Sequence, residues 1–423
     1  MSKKEIPYAF CTAPWVHAHV AANGKRRLCC IAEEAPEQYS KLPWNEFKNS
    51  EYMKNVRKQM LENKVPPECK ICENPNRVET MRDKWISMYP GESAAAVEST
   101  APDGSTDFKI KYLDYRSNLC NLKCRTCDPS ASSSFHTLVS KNFNTDLKAM
   151  FGDIGETSPM PTVKNYESIY SKEAMQFCET EDLTRIYFAG GEPFVESSHL
   201  PLLQKLVDQK KASNVILAYN TNLGYSLNTL KAWLELAVHF KEIYFFVSID
   251  GEGDIAEYIR AGLKFKNFET NLDYLIQNKP PELRLYLDIT FTSLNLFFMQ
   301  EFADFAIRKN VQTTGKLMVF GENSFPLLRC ESISQNVKQK LLTEWNSYFA
   351  KLTESQKNLV NVLDGTMKLF GTTTPTQFVS KNESLHRLKT FENLHPNESK
   401  FLELLSRKPL GTEWCRELTN ETI

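Results

Sequence analysis

The sequence predicts an α/β fold built on a parallel sheet. Two observations carry this expectation. Six runs rich in β-branched and aromatic residues follow residue 108: 109–117, 184–190, 214–222, 242–250, 283–292 and 313–320. Amphipathic stretches of helical period separate the later ones, around 199–211, 227–240, 268–278 and 297–309. Strands alternating with helices are the signature of βαβ units, which require parallel pairing.

Around that core the chain divides by composition. Residues 1–90 hold five cysteines and are interrupted by prolines, as expected of a Cys-rich module. The low-hydrophobicity stretch GESAAAVESTAPDGSTDF, residues 91–108, reads as a linker. Residues 109–330 form the α/β core, with an insertion at about 139–182 that is too long for an ordinary connection. From 331 to 423 the pattern turns helical, as in QNVKQKLLTEWNSYFAKL, and predicts a helical C-terminal cap. At 423 residues the chain exceeds the usual size of a single core, so several parts are expected.

Bulk properties narrow the function classes. With 51 Lys and Arg against 52 Asp and Glu, the net charge gives no electrostatic footprint for nucleic acid or an anionic membrane. No apolar run approaches the roughly 20 residues of a membrane helix. The opening MSKKEIPYAFCTAPW has no secretory h-region, which points to a cytoplasmic protein. In that reducing setting, clustered thiols are metal ligands or catalysts more often than disulfides. Eight of the 11 cysteines cluster, whereas Cys178, Cys330 and Cys415 stand alone and read as packing residues.

The segment DYRSNLCNLKCRTCDPS places Cys120, Cys124 and Cys127 in a loop directly after the first predicted strand of the core. Loops at strand ends are where α/β folds carry function. Three thiolates can each hold one iron of a [4Fe–4S] cube, leaving the fourth iron for a non-protein ligand. A structural zinc or an electron-transfer cluster is the competing reading, but each normally demands a fourth protein ligand.

The spacing Cys120-x3-Cys124-x2-Cys127 resembles the CxxxCxxC signature of radical S-adenosylmethionine (SAM) enzymes. The resemblance implies a partial (β/α)6 TIM-type barrel, a [4Fe–4S] cluster on these cysteines, and SAM chelating its unique iron. Gly190-Gly191-Glu192-Pro193 is a turn by itself, but at its strand end it resembles the family's GGEP motif, whose backbone and carboxylate contact the SAM amine. By the same resemblance Asn220, ending the third strand, approaches the ribose or the substrate. Ser248 and Arg260 approach the SAM carboxylate, a target suited to the guanidinium fork. Thr126 departs from the pattern, since the family commonly has a large apolar residue there beside the adenine.

The N-terminal part presents Cys11, Gly24-x4-Cys29 and the pair Cys69-x2-Cys72. A CxxC pair with two distant cysteines can hold a structural zinc or a second [4Fe–4S] cluster, and spacing barely separates the two. The order resembles the SPASM/twitch auxiliary-cluster modules of radical SAM enzymes, with the module before the barrel, and that favours an auxiliary [4Fe–4S] cluster. Cys30 competes with Cys29, although the Gly24 spacing selects Cys29. His17 and His19 read as ordinary strand residues, and Trp15 and Trp44 as packing.

The resemblance implies reduction by an external donor such as flavodoxin or ferredoxin, cleavage of SAM to a 5′-deoxyadenosyl radical, and hydrogen abstraction. The expected outcome is oxidation of, or bond formation in, a peptide or protein, ahead of a carbohydrate or nucleotide small molecule. A non-catalytic iron–sulfur or zinc protein is the reading from another class.

Overall fold

The computed structural model describes residues 5–21, 24–73, 80–127, 129, 131–143, 166–318, 325–374 and 381–419. Eight strands are described: β1 His17–Val20, β2 Arg26–Arg27, β3 Tyr112–Ser117, β4 Arg185–Gly190, β5 Ile216–Thr221, β6 Glu242–Ser248, β7 Leu283–Phe291 and β8 Gln312–Leu317. They lie in one mostly parallel sheet in the order β2-β1-β3-β4-β5-β6-β7-β8. All six expected core strands are present, with ends within three residues of the sequence runs. Residues 319 and 320 of the last run lie outside the described residues.

Two compact units are resolved, one comprising Met1–Asn118, Thr162–Ala218 and Leu236–Ile243, the other Leu119–Pro161, Tyr219–Glu235 and Tyr244–Ile423. In the first, β1 runs parallel to β3 with His17 opposite Tyr112 and His19 opposite Asp114, while β2 pairs antiparallel with β1. The sheet therefore gains two strands beyond the expected six. Its N-terminal addition is short and flanks a Pro-rich segment, so period-2 patterning has little length over which to show.

The expected linker at 91–108 is corrected over residues 91–99, while 100–108 form neither helix nor strand. Pro90–Ser99 is an α-helix that buries Ser93, Ala96 and Val97. Ser93 Oγ lies 2.6 Å from Thr12 Oγ1, and Trp15 Nε1 donates to Thr100 Oγ1 at 2.8 Å. Proline in the first turn and four alanine or valine residues favour a helix despite low hydrophobicity. The expected insertion at 139–182 begins inside the helix Ser133–Phe143 and ends beyond the helix Tyr166–Thr180. Residues 144–165 lie outside the described residues.

In the second unit, Phe245 and Val247 of β6 and Leu287, Ile289 and Phe291 of β7 are fully or almost fully buried. Trp233, on the helix Leu227–Ala237, packs 4.8 Å from the Phe245 ring. The alternate residues Tyr244, Phe246, Ser248, Tyr286, Asp288 and Thr290 are only half-buried and form the opposite face. The C-terminal region is helical as expected: Gln335–Ala350, Glu354–Thr372, Lys381–Asn393, Phe401–Ser406 and Pro409–Thr419. Ser334 and the Thr353–Gln356 capping box start the first two. Among the described residues no helix is long and apolar enough to cross a membrane.

Candidate iron–sulfur and cofactor site

The three-cysteine loop is fixed by its own backbone and by short polar side chains. Ser134 Oγ donates to Cys120 O at 2.6 Å, Ser133 Oγ accepts from Cys120 N at 3.0 Å, and Ser132 Oγ donates to Leu122 O at 2.6 Å. Lys123 N and Arg125 N donate to Ala261 O and Ile259 O, which pins the loop along the segment that carries Arg260. Asn121 links it to Asn222 and Gly224. Asn222 is thereby a positioning residue.

Arg125, between the second and third cysteines, is fully buried. It donates to Tyr258 O, stands 3.5 Å from Glu398, and lies over the rings of Tyr258 and Phe391 at 3.8 and 4.6 Å. No motif in the sequence singles it out. A charged residue inside a ligand loop is a weak signal until the helix Lys381–Asn393 is seen to supply its aromatic neighbour.

Burial above all pushes the Cys124 thiol well up, opposed by Arg260 and reinforced by Cys127, Cys120 and Asp250. These five groups share one electrostatic neighbourhood in which thiolates need a cation to form. Iron supplies it. Among the described residues no three His, Cys, Asp or Glu side chains converge as the shell of a single metal ion. Thiols that hold separate irons of a cube need no such convergence.

Arg260 Nε is 2.9 Å from Asp250 Oδ2, and Asp250 Oδ1 accepts from Thr290 N at 2.8 Å. Asn295 Nδ2 donates to Asp250 O and Thr290 O. Burial alone would lower the Arg260 pKa, but Asp250, Cys124 and Cys127 override it and hold the guanidinium charged. No motif in the sequence marks Asp250, and the structure sets it against Arg260.

Asn220 Nδ2 donates to Asp288 Oδ2 at 3.1 Å, and Ile249 N donates to Asp288 O. Burial, with Asp250, raises the Asp288 pKa, against Lys316, Arg260 and the Asn220 hydrogen bond. Ser248 ends β6 on the same half-buried face. Asp288 went unnoticed in the sequence because a single acidic residue within an apolar strand carries no motif.

The remaining predicted residues belong to the first unit. Gly190 has φ +101° and pairs with Ser117, and a Cβ on it would lie 2.2 Å from Ser117 O. Gly191 N donates to the same oxygen at 2.6 Å. Only glycine fits there. Glu192 is fully buried, and its Oε1 accepts from Phe194 N at 3.2 Å.

Cys11, Cys29, Cys69 and Cys72 line one cavity, together with Leu28, Met60, Arg82 and Trp85. Burial is the main cause that raises the Cys11 thiol well above its ordinary value and lifts Cys29 to about 11 and Cys69 to about 12. Cys30 is exposed and does not line the cavity; its nearest charges are Asp114, Arg116 and Arg27. The lone Cys178 and Cys330 are buried, and Cys415 is partly so.

The fold and the three-thiol loop define an α/β iron–sulfur protein. Residues 114–267, from β3 into the helix Phe265–Asn278, match the family described as a 4Fe–4S single cluster domain. The CxxxCxxC and GGEP motifs stand at the ends of β3 and β4, and the matched residues include both.

Among solved structures, SuiB of Streptococcus suis bound to precursor peptide SuiA is 13% identical with a TM-score of 0.37, over 66% of this chain and 54% of that one. SuiB bound to SAM is 15% identical with a TM-score of 0.35, over 67% and 57%. TYW1 with a lysine-pyruvate adduct is 12% identical with a TM-score of 0.29, over 56% and 71%. This chain thus spans 54% to 60% of the SuiB chains it matches. No curated protein sequence matches.

Proposed function

We propose that this chain reductively cleaves SAM and modifies a peptide or protein by hydrogen abstraction, with oxidation or bond formation as the outcome. The observation that carries this reading is the neighbourhood of Cys120, Cys124 and Cys127 with Arg260, which Asp250 orients. When bound, cluster and SAM supply a one-electron cleavage that yields a 5′-deoxyadenosyl radical. The chain's own residues do the rest: the thiolates hold the cluster, and Arg260 and Ser248 receive the SAM carboxylate, while a role for Gly190, Gly191 and Glu192 at the SAM amine rests on the GGEP resemblance alone. A buried ion pair fixes Arg260 in advance of binding, so little orientation is lost on association.

The auxiliary role is proposed for Cys11, Cys29, Cys69 and Cys72 in a module spanning 1–90, ahead of a core at 109–330. A cavity lined by four thiols supports iron–sulfur or zinc alike, and the three-thiol loop beside it in sequence favours iron–sulfur. For the substrate, the stacked rings of Phe246 and Tyr286, 5.1 Å apart, share a face with Asn220 and Asp288. Apolar surface with fixed hydrogen-bonding groups suits an amide-bearing chain. A carbohydrate or nucleotide is the second reading. A flavodoxin- or ferredoxin-type donor in a reducing cytoplasm completes the scheme.

The test is anaerobic reconstitution with iron and sulfide, followed by quantification of 5′-deoxyadenosine under dithionite. A variant with Cys120, Cys124 and Cys127 changed to Ala runs beside it. Reductant-dependent release, lost in the variant and stimulated by a peptide fraction of cell extract, supports the proposal. Absence of release from a cluster-loaded, folded parent in every fraction overturns it, and stimulation by the sugar or nucleotide fraction alone selects the second reading.

A further inference from the structure

We propose that His17, His19 and Asp114 form a proton-acceptor site, which takes up one proton when one electron enters the neighbouring cavity of Cys11, Cys29, Cys69 and Cys72. This rests on the reading of that cavity as an iron–sulfur site.

The three side chains come together through strand register, with His19 opposite Asp114 and His17 opposite Tyr112. His19 Nε2 and His17 Nε2 stand 3.4 and 4.0 Å from Asp114 Oδ2. All three residues are at most 4% exposed. Yet His17 Nε2 and both ring nitrogens of His19 have no hydrogen-bond partner among the described residues. A buried polar group in that state is destabilising, because its lost hydration is not repaid. Two such rings side by side are a poor packing solution, and they exceed what an ordinary strand requires.

The pair abuts the cavity wall. His17 Nδ1 lies 3.1 Å from Leu28 O, and its ring centroid is 4.5 Å from that of Trp85. Leu28 and Trp85 line the cavity with the four cysteines. An electron placed there is felt by the imidazoles across one layer of side chains, where little water screens it.

The local charge is balanced while the imidazoles are neutral. Arg116 donates to Asp114 at 2.8 and 3.3 Å, and Arg27 of β2 pairs with Glu34. Tyr112 of β3 and Cys30 of the loop after β2 also face the cluster, and Trp85 is the neutral group presented by the helix Met81–Met88. Burial above all lowers the His17 pKa to about 3, against Asp114, and burial with Arg116 and Arg27 lowers that of His19. A proton on the pair therefore lacks a counter-charge until the cavity gains one. The electron comes from the substrate after hydrogen abstraction, the proton from the same substrate or from solvent, and the sum is one electron and one proton.

The measurement is a redox titration of the full chain carrying Cys120, Cys124 and Cys127 changed to Ala. It is reconstituted with iron and sulfide, and the midpoint is read by electron paramagnetic resonance from pH 6 to 9. The expected midpoint falls by up to about 59 mV for each tenfold drop in proton activity. That slope is lost in His17→Gln/His19→Gln and reduced in Asp114→Asn, at unchanged iron content. A pH-independent midpoint in the parent overturns the inference without needing any variant. A parent that retains no iron overturns the reading of the cavity itself.

Discussion

Arg260 Nε stands 2.9 Å from Asp250 Oδ2, with the carboxylate wholly buried and the guanidinium 9% exposed. The pair joins the end of β6 to the segment that also anchors the cysteine loop. Removing Asp250 strands a buried cation, which costs about 3–5 kcal/mol. Asp250→Ala is expected to lower the thermal midpoint clearly, measured by circular dichroism. Arg260→Lys keeps the charge but loses the fork, and is expected to weaken SAM binding about 10- to 100-fold by calorimetry.

Neighbouring cysteines make a second prediction. Cys29 lines the N-terminal cavity and Cys30 does not. Cys29→Ala is expected to remove the iron held by the N-terminal set, while Cys30→Ala retains it. Iron quantification in the chain that lacks Cys120, Cys124 and Cys127 distinguishes the two.

Gly190 offers a test of backbone geometry. Its φ of +101° and the 2.2 Å approach to Ser117 O leave no room for a side chain. Gly190→Ala is expected to destabilise the chain by at least about 1–3 kcal/mol, read as a lower denaturation midpoint. Gly91→Ala, where a Cβ meets nothing within 4 Å, serves as the control and is expected to be neutral or slightly stabilising.

Acid sensitivity should trace in part to His199. Burial lowers its pKa to about 3 from an ordinary value of 6.5, and its ring packs edge-on against Phe188 and Phe194. Between those values the unfolded chain binds the proton and the folded chain does not. The contribution to stability is therefore complete above pH 6.5 and falls away as the pH drops towards 3. His199→Phe is expected to flatten the decline of the denaturation midpoint between pH 6.5 and 4.5.

Much of this was legible in one dimension. Strand–helix alternation gave β3 to β8 because each run is long enough to display its period, and the spacing of Cys120, Cys124 and Cys127 is itself a geometric statement about a short loop. Residues 91–108 misled because alanine-rich helices register as low hydrophobicity, whereas helix propensity and packing on Thr12 and Trp15 decide their state. Strand β2 was hidden because two residues carry too little pattern, whereas the alternation of His17 and His19 already marked β1 as a strand.

The sequence by itself determined the class of fold and the cluster motif, since both depend on residues close together along the chain. Tertiary structure alone decided which distant residues serve that motif. Asp250 became the partner of Arg260, Asp288 met Asn220, and Arg125 found Phe391. The physical reason is that register and burial set these partnerships. A shift of one residue along a strand sends a side chain to the opposite face, and nothing local to Asp250 or Asp288 records which face the folded sheet will choose.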